Sequence, residues 1–156
     1  MITITELLSN LKNELFIKFL LIGHRLQYLG DRELKKDGLT TKQALAIIAI
    51  EKMFSSPPSI SDVTDVLSTS RQNVKQIINQ LVKKGFLTIN QDEKDRRVLR
   101  IQSTEKNQQY WDKRAEDHVK FIQSVLDGLT DQEVRTLDQL INKLLNHIEK
   151  RYSEVK

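Results

Sequence analysis

Residues 70–104 read SRQNVKQIINQLVKKGFLTINQDEKDRRVLRIQST. Val74, Ile77, Ile78, Leu81 and Val82 recur at helical spacing, so this stretch opens as an amphipathic helix from Ser70 to Lys84, stopped by Gly85. Phe86, Leu87 and Ile89 form a short apolar run. A charged tip follows, Asp92-Glu93-Lys94-Asp95-Arg96-Arg97, and then a second run from Val98 to Gln102. Two strand-like runs around such a tip predict a β-hairpin. A helix followed at once by a charged hairpin is the order of a winged helix-turn-helix, which sets one helix in a DNA groove and a loop beside it.

Charge supports the same partner. Between Ser70 and Arg100 eight basic residues face three acids, a net of +5, whereas the whole chain carries +4. All of the excess positive charge therefore lies in this segment, and a polyanion is its natural partner. No acid occurs from Val66 to Gln91, which is unusual for an ordinary solvated helix face. Ser70, Arg71, Gln72, Asn73, Lys75 and Gln76 lie at the start of the helix. Amides and arginine there can pair bidentately with base edges, while Lys75, Lys83 and Lys84 suit phosphates as point charges. On the hairpin, Lys94, Asp95, Arg96, Arg97 and Arg100 form the candidate wing contacts. Arginines on such a tip suit the negative potential of a narrow minor groove. Asp95 is expected to pair with Arg97 and hold its rotamer.

Working upstream, Ser68-Thr69-Ser70 predicts a tight turn, and Ser59 with Asp62 starts a short helix carrying Ile60, Val63, Val66 and Leu67. Ser55-Ser56-Pro57-Pro58 is a loop. Thr40 and Gln43 form a capping box for a helix over 41–54, apolar almost all round and so expected at the buried centre. Gly30 and Gly38 bracket a looser, charged stretch. Before it, residues 5–29 predict a helix with Leu8, Leu11, Leu15, Phe19, Ile22 and Leu26 on one stripe, widened by Phe16, Ile17, Leu20 and Leu21. Downstream, a helix runs from Thr104 to about Leu126, with Tyr110, Trp111, Ala115, Val119 and Ile122 inside. Gly128 ends it, and Thr130 with Glu133 caps a last helix. There Val134, Leu137, Ile141, Leu144 and Ile148 form a 3-4-3-4 seam.

These outer stripes exceed what the central module can cover, so they predict association. Leu8, Leu11 and Leu15, with the Val134–Ile148 seam, are the candidate dimerisation residues. A two-fold homodimer is the simplest closed solution, and it matches a pseudo-palindromic operator. The expected architecture is mainly α. A winged helix-turn-helix lobe with a two-stranded β wing spans 39–104, and helical dimerisation regions over 1–38 and 105–156 complete a single 156-residue chain.

Composition narrows the function. Aromatic residues make up 6% of the chain, which argues against a single-strand binder built on stacking platforms. Cysteine is absent, which removes disulfides, thiolate metal sites and thiol redox sensing, and fits a reducing cytoplasm. No apolar run is long enough for a membrane span, and no secretion signal is evident. The chain lacks a glycine-rich phosphate loop or a nucleophile motif, so catalysis is not expected. His24, His118 and His147 are scattered without ligand spacing, and neither a metal site nor a cofactor is expected. The rival reading is a winged helix that has lost DNA readout and docks another protein. An acid-free helix face and an arginine-bearing wing favour DNA, since an adaptor needs neither.

The helix start LTTKQ, the stretch SRQNVKQIINQLVKKGFL and the wing DEKDRRVLRIQST resemble the MarR (multiple antibiotic resistance regulator) family. The resemblance covers nearly the whole chain. It implies a dimeric winged-helix regulator, usually a repressor. It also implies an effector, often a small aromatic or lipophilic anion, that loosens DNA binding from a pocket between dimerisation helices and DNA lobes. Phe16, Phe19, Leu20, Ile48, Tyr110 and Trp111 are the expected pocket walls. Two positions depart from the family pattern: Ile89, where many members carry Arg, and Ser103, where Leu commonly precedes Thr. By the resemblance, the first bears on a phosphate contact, and the second alters packing at the wing root.

Overall fold

The computed structural model describes residues 4–155. Residues 1–3 and 156 of the expected dimerisation regions lie outside it. The elements run α1 (Ile4–Leu34), α2 (Thr41–Lys52), α3 (Ile60–Leu67), α4 (Arg71–Lys83), β1 (Leu87–Gln91), β2 (Leu99–Ser103), α5 (Glu105–Leu126) and α6 (Asp131–Val155). The chain forms two compact units, one up to Trp111 and one from Asp112 onward.

The first unit contains the winged helix. Its core joins Ala46 and Ile47 of α2, Val63 of α3, and Val74, Ile78 and Leu81 of α4 to Leu87 and Ile101 of the hairpin. Each of these helices begins at a side-chain cap, and those of α2 and α3 are legible in the sequence. The Thr40 hydroxyl accepts from Gln43 N at 3.2 Å, and the Gln43 side chain accepts from Thr40 N at 3.2 Å, which completes the expected box. Ser59 and Asp62 do the same for α3, and the Ser70 hydroxyl accepts from Asn73 N to open α4. Between α3 and α4 the chain turns through Ser68, whose φ of 48° places a non-glycine residue in the left-handed region.

At the far end of α4, Gly85 takes φ +77°, Phe86 N donates to Leu81 O and Gly85 N to Val82 O. This Schellman closure sends the chain directly into β1. The hairpin is antiparallel, with Ile89 opposite Ile101 and Gln91 opposite Leu99. Ile101 is buried, and Ile89 packs partly against the same core. An apolar residue at 89 therefore serves the hairpin's inner face.

The first helix corrects one expectation. It continues through Gly30 to Leu34 instead of loosening at 29, and Gly30 is a point of close approach within it. A Cβ there would lie 2.5 Å from Thr41 Oγ1. Thr41 is held at that spot from both sides: its hydroxyl donates to Gln27 O at 3.1 Å, and its backbone N donates to Asp31 Oδ1 at 2.7 Å. The start of α2 is thus pinned against the last turns of α1. The second helix is also less enclosed than its composition suggests. Ala44, Ala46, Ile47, Ala49 and Ile50 are buried, while Leu45, Ile48 and Met53 remain exposed.

In the second unit, α6 opens with the expected box, Thr130 N donating to Glu133 Oε2 at 2.8 Å and Glu133 N to Thr130 Oγ1 at 3.3 Å. No residue of α6 is buried. Among the described residues, no helix is long and apolar enough to cross a membrane.

Candidate nucleic-acid interface

The candidate site is the outer face of α4 together with the hairpin. Val74, Ile78 and Leu81 hold the inner face of α4 against the core, which leaves Arg71, Gln72, Asn73, Lys75 and Gln76 exposed. Ser70, the cap, is exposed as well.

The exposed face has two edges. Asn73, Gln76 and Gln80, at i, i+3 and i+7, line a cleft of about 430 Å³ shared with Gln27, Lys42 and Gln43. Arg71 and Lys75, at i and i+4, line a different cleft of about 240 Å³, with Ser59 and Ser61 of α3 and Arg97 of the wing. Helical geometry alone separates these edges, since residues three or four apart share a face. Amides therefore lie toward α2 and cations toward the wing.

The rotation of α4 is set by Gln43. Its Nε2 donates to Gln80 Oε1 at 2.8 Å, while its Oε1 accepts from Lys84 Nζ at 3.1 Å. Lys84 also donates to Gly38 O. The sequence reading grouped Lys84 with phosphate-facing lysines. The structure instead turns its ammonium inward, where it satisfies the carbonyl before α2. Gln43 itself is buried, and nothing in its spacing beyond the capping box pointed to this second role.

The wing tip is organised by a residue the sequence reading passed over. Asp92 Oδ1 accepts from Lys94 N and from Asp95 N, each at 2.9 Å, and its Oδ2 accepts from Arg100 Nε at 2.7 Å. The Asp95 amide, the Arg100 guanidinium and the Lys94 amide together lower the Asp92 carboxyl to about 2. An Asp bonding amides two and three residues on is a recognised turn device, and that spacing was the available signal. Asp95 does not pair with the Arg97 side chain as expected. Its Oδ1 accepts from Arg97 N at 3.0 Å, so it shapes the backbone and leaves the guanidinium uncommitted. A two-residue separation in a tight turn favours the amide, which is nearer than the end of a long side chain.

Arg100 is committed inward. Besides Asp92, its Nη1 lies 3.9 Å from Asp62 Oδ2 and donates to Pro57 O at 3.4 Å. It ties the hairpin to the cap of α3 and the proline loop. Lys94, Arg96 and Arg97 are exposed, and Arg96 and Arg97 make no ion pair among the described residues.

At the wing root the substitution to serine is absorbed by a polar network. Ser103 Oγ donates to Glu51 Oε1 at 2.6 Å and accepts from Asn107 Nδ2 at 2.8 Å, and Asn107 Nδ2 also reaches Glu51 Oε1 at 2.7 Å. Asn107 is fully buried, and its Oδ1 accepts from Trp111 Nε1 at 3.1 Å. Tyr110 and Trp111, expected as pocket walls, pack on the lobe core, with Tyr110 edge-on to Phe86 at 5.2 Å. Phe16, Phe19, Leu20 and Ile48 are exposed, and none of the six lines the clefts beside α4. Among the described residues, no group of three or more metal-ligating side chains is placed to hold an ion.

The MarR family's sequence profile matches residues 37–98, from the loop before α2 to the wing tip. The transcriptional activatory protein BadR of Rhodopseudomonas palustris is 25% identical over 142 residues, covering 90% of this chain and 81% of that protein. The transcriptional repressor MprA of Escherichia coli is 25% identical over 119 residues, covering 76% of this chain and 68% of its own. Among solved structures, that of the S. aureus MepR–DNA complex superposes with a TM-score of 0.71 at 17% identity, covering 84% of this chain and 96% of that one. With the acid-free α4 face and the wing, the match over residues 37–98 gives this lobe the character of a MarR-type winged helix-turn-helix, and the chain is similar to DNA-binding transcriptional regulators of that family.

Proposed function

We propose that this chain acts as a homodimer on a pseudo-palindromic double-stranded operator, as a sequence-specific and ligand-responsive repressor. The observation that carries the reading is the outer face of α4, exposed and free of acids, beside a wing whose Arg96 and Arg97 hold no counter-ion among the described residues. In this reading residues 39–104 are the DNA lobe, and the helical regions over 1–38 and 105–156 supply the dimer. Gln72, Asn73 and Gln76 read base edges in the major groove from the turn capped by Ser70. Lys94, Arg96 and Arg97 reach the adjacent backbone and minor groove, while Asp92, Asp95 and Arg100 hold the hairpin in shape. Repression follows most simply, by occlusion of a promoter. MprA is called a repressor and BadR an activator, so the position of the operator decides the sign.

Dimerisation is supported by the exposed leucines and isoleucines of α1 and of α6, each an apolar stripe with no cover in its own unit. A small aromatic or lipophilic anion is the proposed effector, acting by reversible binding because the chain has no thiol to oxidise. To empty the operator it must prefer the non-binding lobe spacing by several kcal/mol.

The test is a mobility-shift titration of the purified chain on its own upstream DNA at two salt concentrations. Tight, salt-sensitive binding to that duplex, exceeding binding to a scrambled one, is the expected result. Equal binding to both, or no salt dependence, contradicts the reading, since each neutralised phosphate contributes to the salt slope. Salicylate at high concentration should weaken the complex, whereas peroxide should not.

A further inference from the structure

The cleft between α3, α4 and the wing gathers three cations from two elements. Arg71 and Lys75 stand one turn apart on α4, and Arg97 enters from the hairpin. Among the described residues, none of the three makes an ion pair or a side-chain hydrogen bond, although α3 carries Asp62 and the wing carries Asp92. Those carboxylates are already engaged, Asp62 by Ser59 N at 2.7 Å and by Arg100, and Asp92 by the wing amides and Arg100. The cleft thus keeps three like charges together without an internal counter-ion. Such an arrangement favours an anion that fills the cleft.

Its fourth wall is the first turn of α3. Ser59 caps that helix, and Ser61 sits at its second position, exposed and lining the cleft. The leading amides of a helix carry partial positive charge and lack intrahelical acceptors. A tetrahedral dianion or a phosphodiester suits this set better than a base edge. Its oxygens can take guanidinium, ammonium and hydroxyl donors from several directions, whereas a base edge needs one planar, bidentate partner.

We propose that this cleft seats one backbone phosphate of the operator, clamped between α4 and the wing by Arg71, Lys75 and Arg97 with Ser61. The inference rests on the DNA-binding reading above and assigns Arg71 and Arg97 to position rather than to sequence. Base selection then falls to the amides at 72, 73 and 76.

Two variants test it on the full chain. Ser61→Asp adds an acid in the first turn of α3, which favours the helix, while placing negative charge in the phosphate seat. Thermal melting should be unchanged or higher, and operator affinity should fall at least tenfold. Lys75→Gln should lower the slope of log K against log salt by about 0.9 per lobe and leave the sequence recovered in a binding selection unaltered. Lys120→Gln on α5 serves as the charge control and should leave the slope as it is. Parental affinity in Ser61→Asp, or a changed selected sequence in Lys75→Gln, overturns the seat while the regulator reading stands. Failure of the parent to bind any duplex overturns both.

Discussion

The lobe around α4 and the long helices use the same aliphatic residues to opposite ends. In the lobe, Ile47, Val63, Val74, Ile78, Leu81 and Ile101 are completely buried. On α1 and α6, Leu20 and Leu140 expose 60% and 61% of their surface. In the lobe, the apolar faces of three short helices and a hairpin meet in one shared core. A helix of 31 residues, such as α1, carries its stripe well past the reach of α2, the helix packed against it near Gly30 and Thr41. The contrast teaches that this chain closes one set of apolar faces on itself and leaves another set open.

Truncation should break the comparison most severely. Removing residues 130–156 is expected to abolish the dimer, and with it tight operator binding, while the lobe keeps its fold. Light scattering at the monomer mass, with helical circular dichroism retained, is the expected result. A dimer that survives truncation would move the interface to α1.

Single leucines sharpen the point. Leu81→Ala should cost about 2–5 kcal/mol in urea unfolding at every protein concentration, as for a fully buried aliphatic residue. Leu140→Ala should lower stability only where the chain is associated, so its effect should vanish on dilution. An equal, concentration-independent loss in both would mean that α6 is buried within its own chain.

On the lobe's surface, Arg97→Ala should weaken operator binding by roughly 1–3 kcal/mol with no change in melting temperature, measured by titration and calorimetry side by side. Asp95→Ala should cost less, because it loosens the Arg97 backbone without removing the charge. If Arg97→Ala binds like the parent, the wing does not touch DNA.

Smaller still is a pair of glycines on α1. Nothing lies within 4 Å of a Cβ built at Gly23, so Gly23→Ala should stabilise the helix by about 0.5–1 kcal/mol. Gly30→Ala should lose that gain, because the new methyl displaces the Thr41 hydroxyl from Gln27 O. Chemical unfolding of both variants decides the matter, and equal stabilisation would mean that α1 and α2 are not pressed together.

The slightest effect concerns acid. The Asp92 carboxyl is lowered to about 2 from 3.8, so what it adds to the hairpin is complete above the higher value and disappears as pH falls through the lower. Protection of the Lys94 and Asp95 amides, taken relative to their intrinsic exchange rates at each pH, should fall between those limits before that of α2 or α4. Simultaneous loss of all three would show that Asp92 is not the wing's local latch.

Much of this was legible from local patterns. Caps at Thr40, Ser59 and Thr130 act within one turn, so residue identity at fixed spacing is enough to find them. The inner face of α4 followed from periodicity, and the stop at Gly85 from the positive φ that glycine tolerates. What escaped the sequence joins distant residues. Lys84 turns to Gly38 and Gln43, Arg100 reaches back to Asp62 and Pro57, and Ser103 finds Glu51 across 52 positions. A charged residue's type does not say whether its partner is solvent, DNA or its own chain.

The division follows from the range of the forces involved. Capping, periodicity and turn chemistry are short-range, and the sequence by itself determined the order of elements, the winged lobe and the cationic character of its face. Tertiary structure decided which cations remain free, which edge of α4 faces the wing, and that helix α1 continues through Gly30. Those outcomes depend on which side chains meet once the backbone has crossed itself, and a hydrogen bond or close contact exists only where that crossing brings its two ends within a few ångströms.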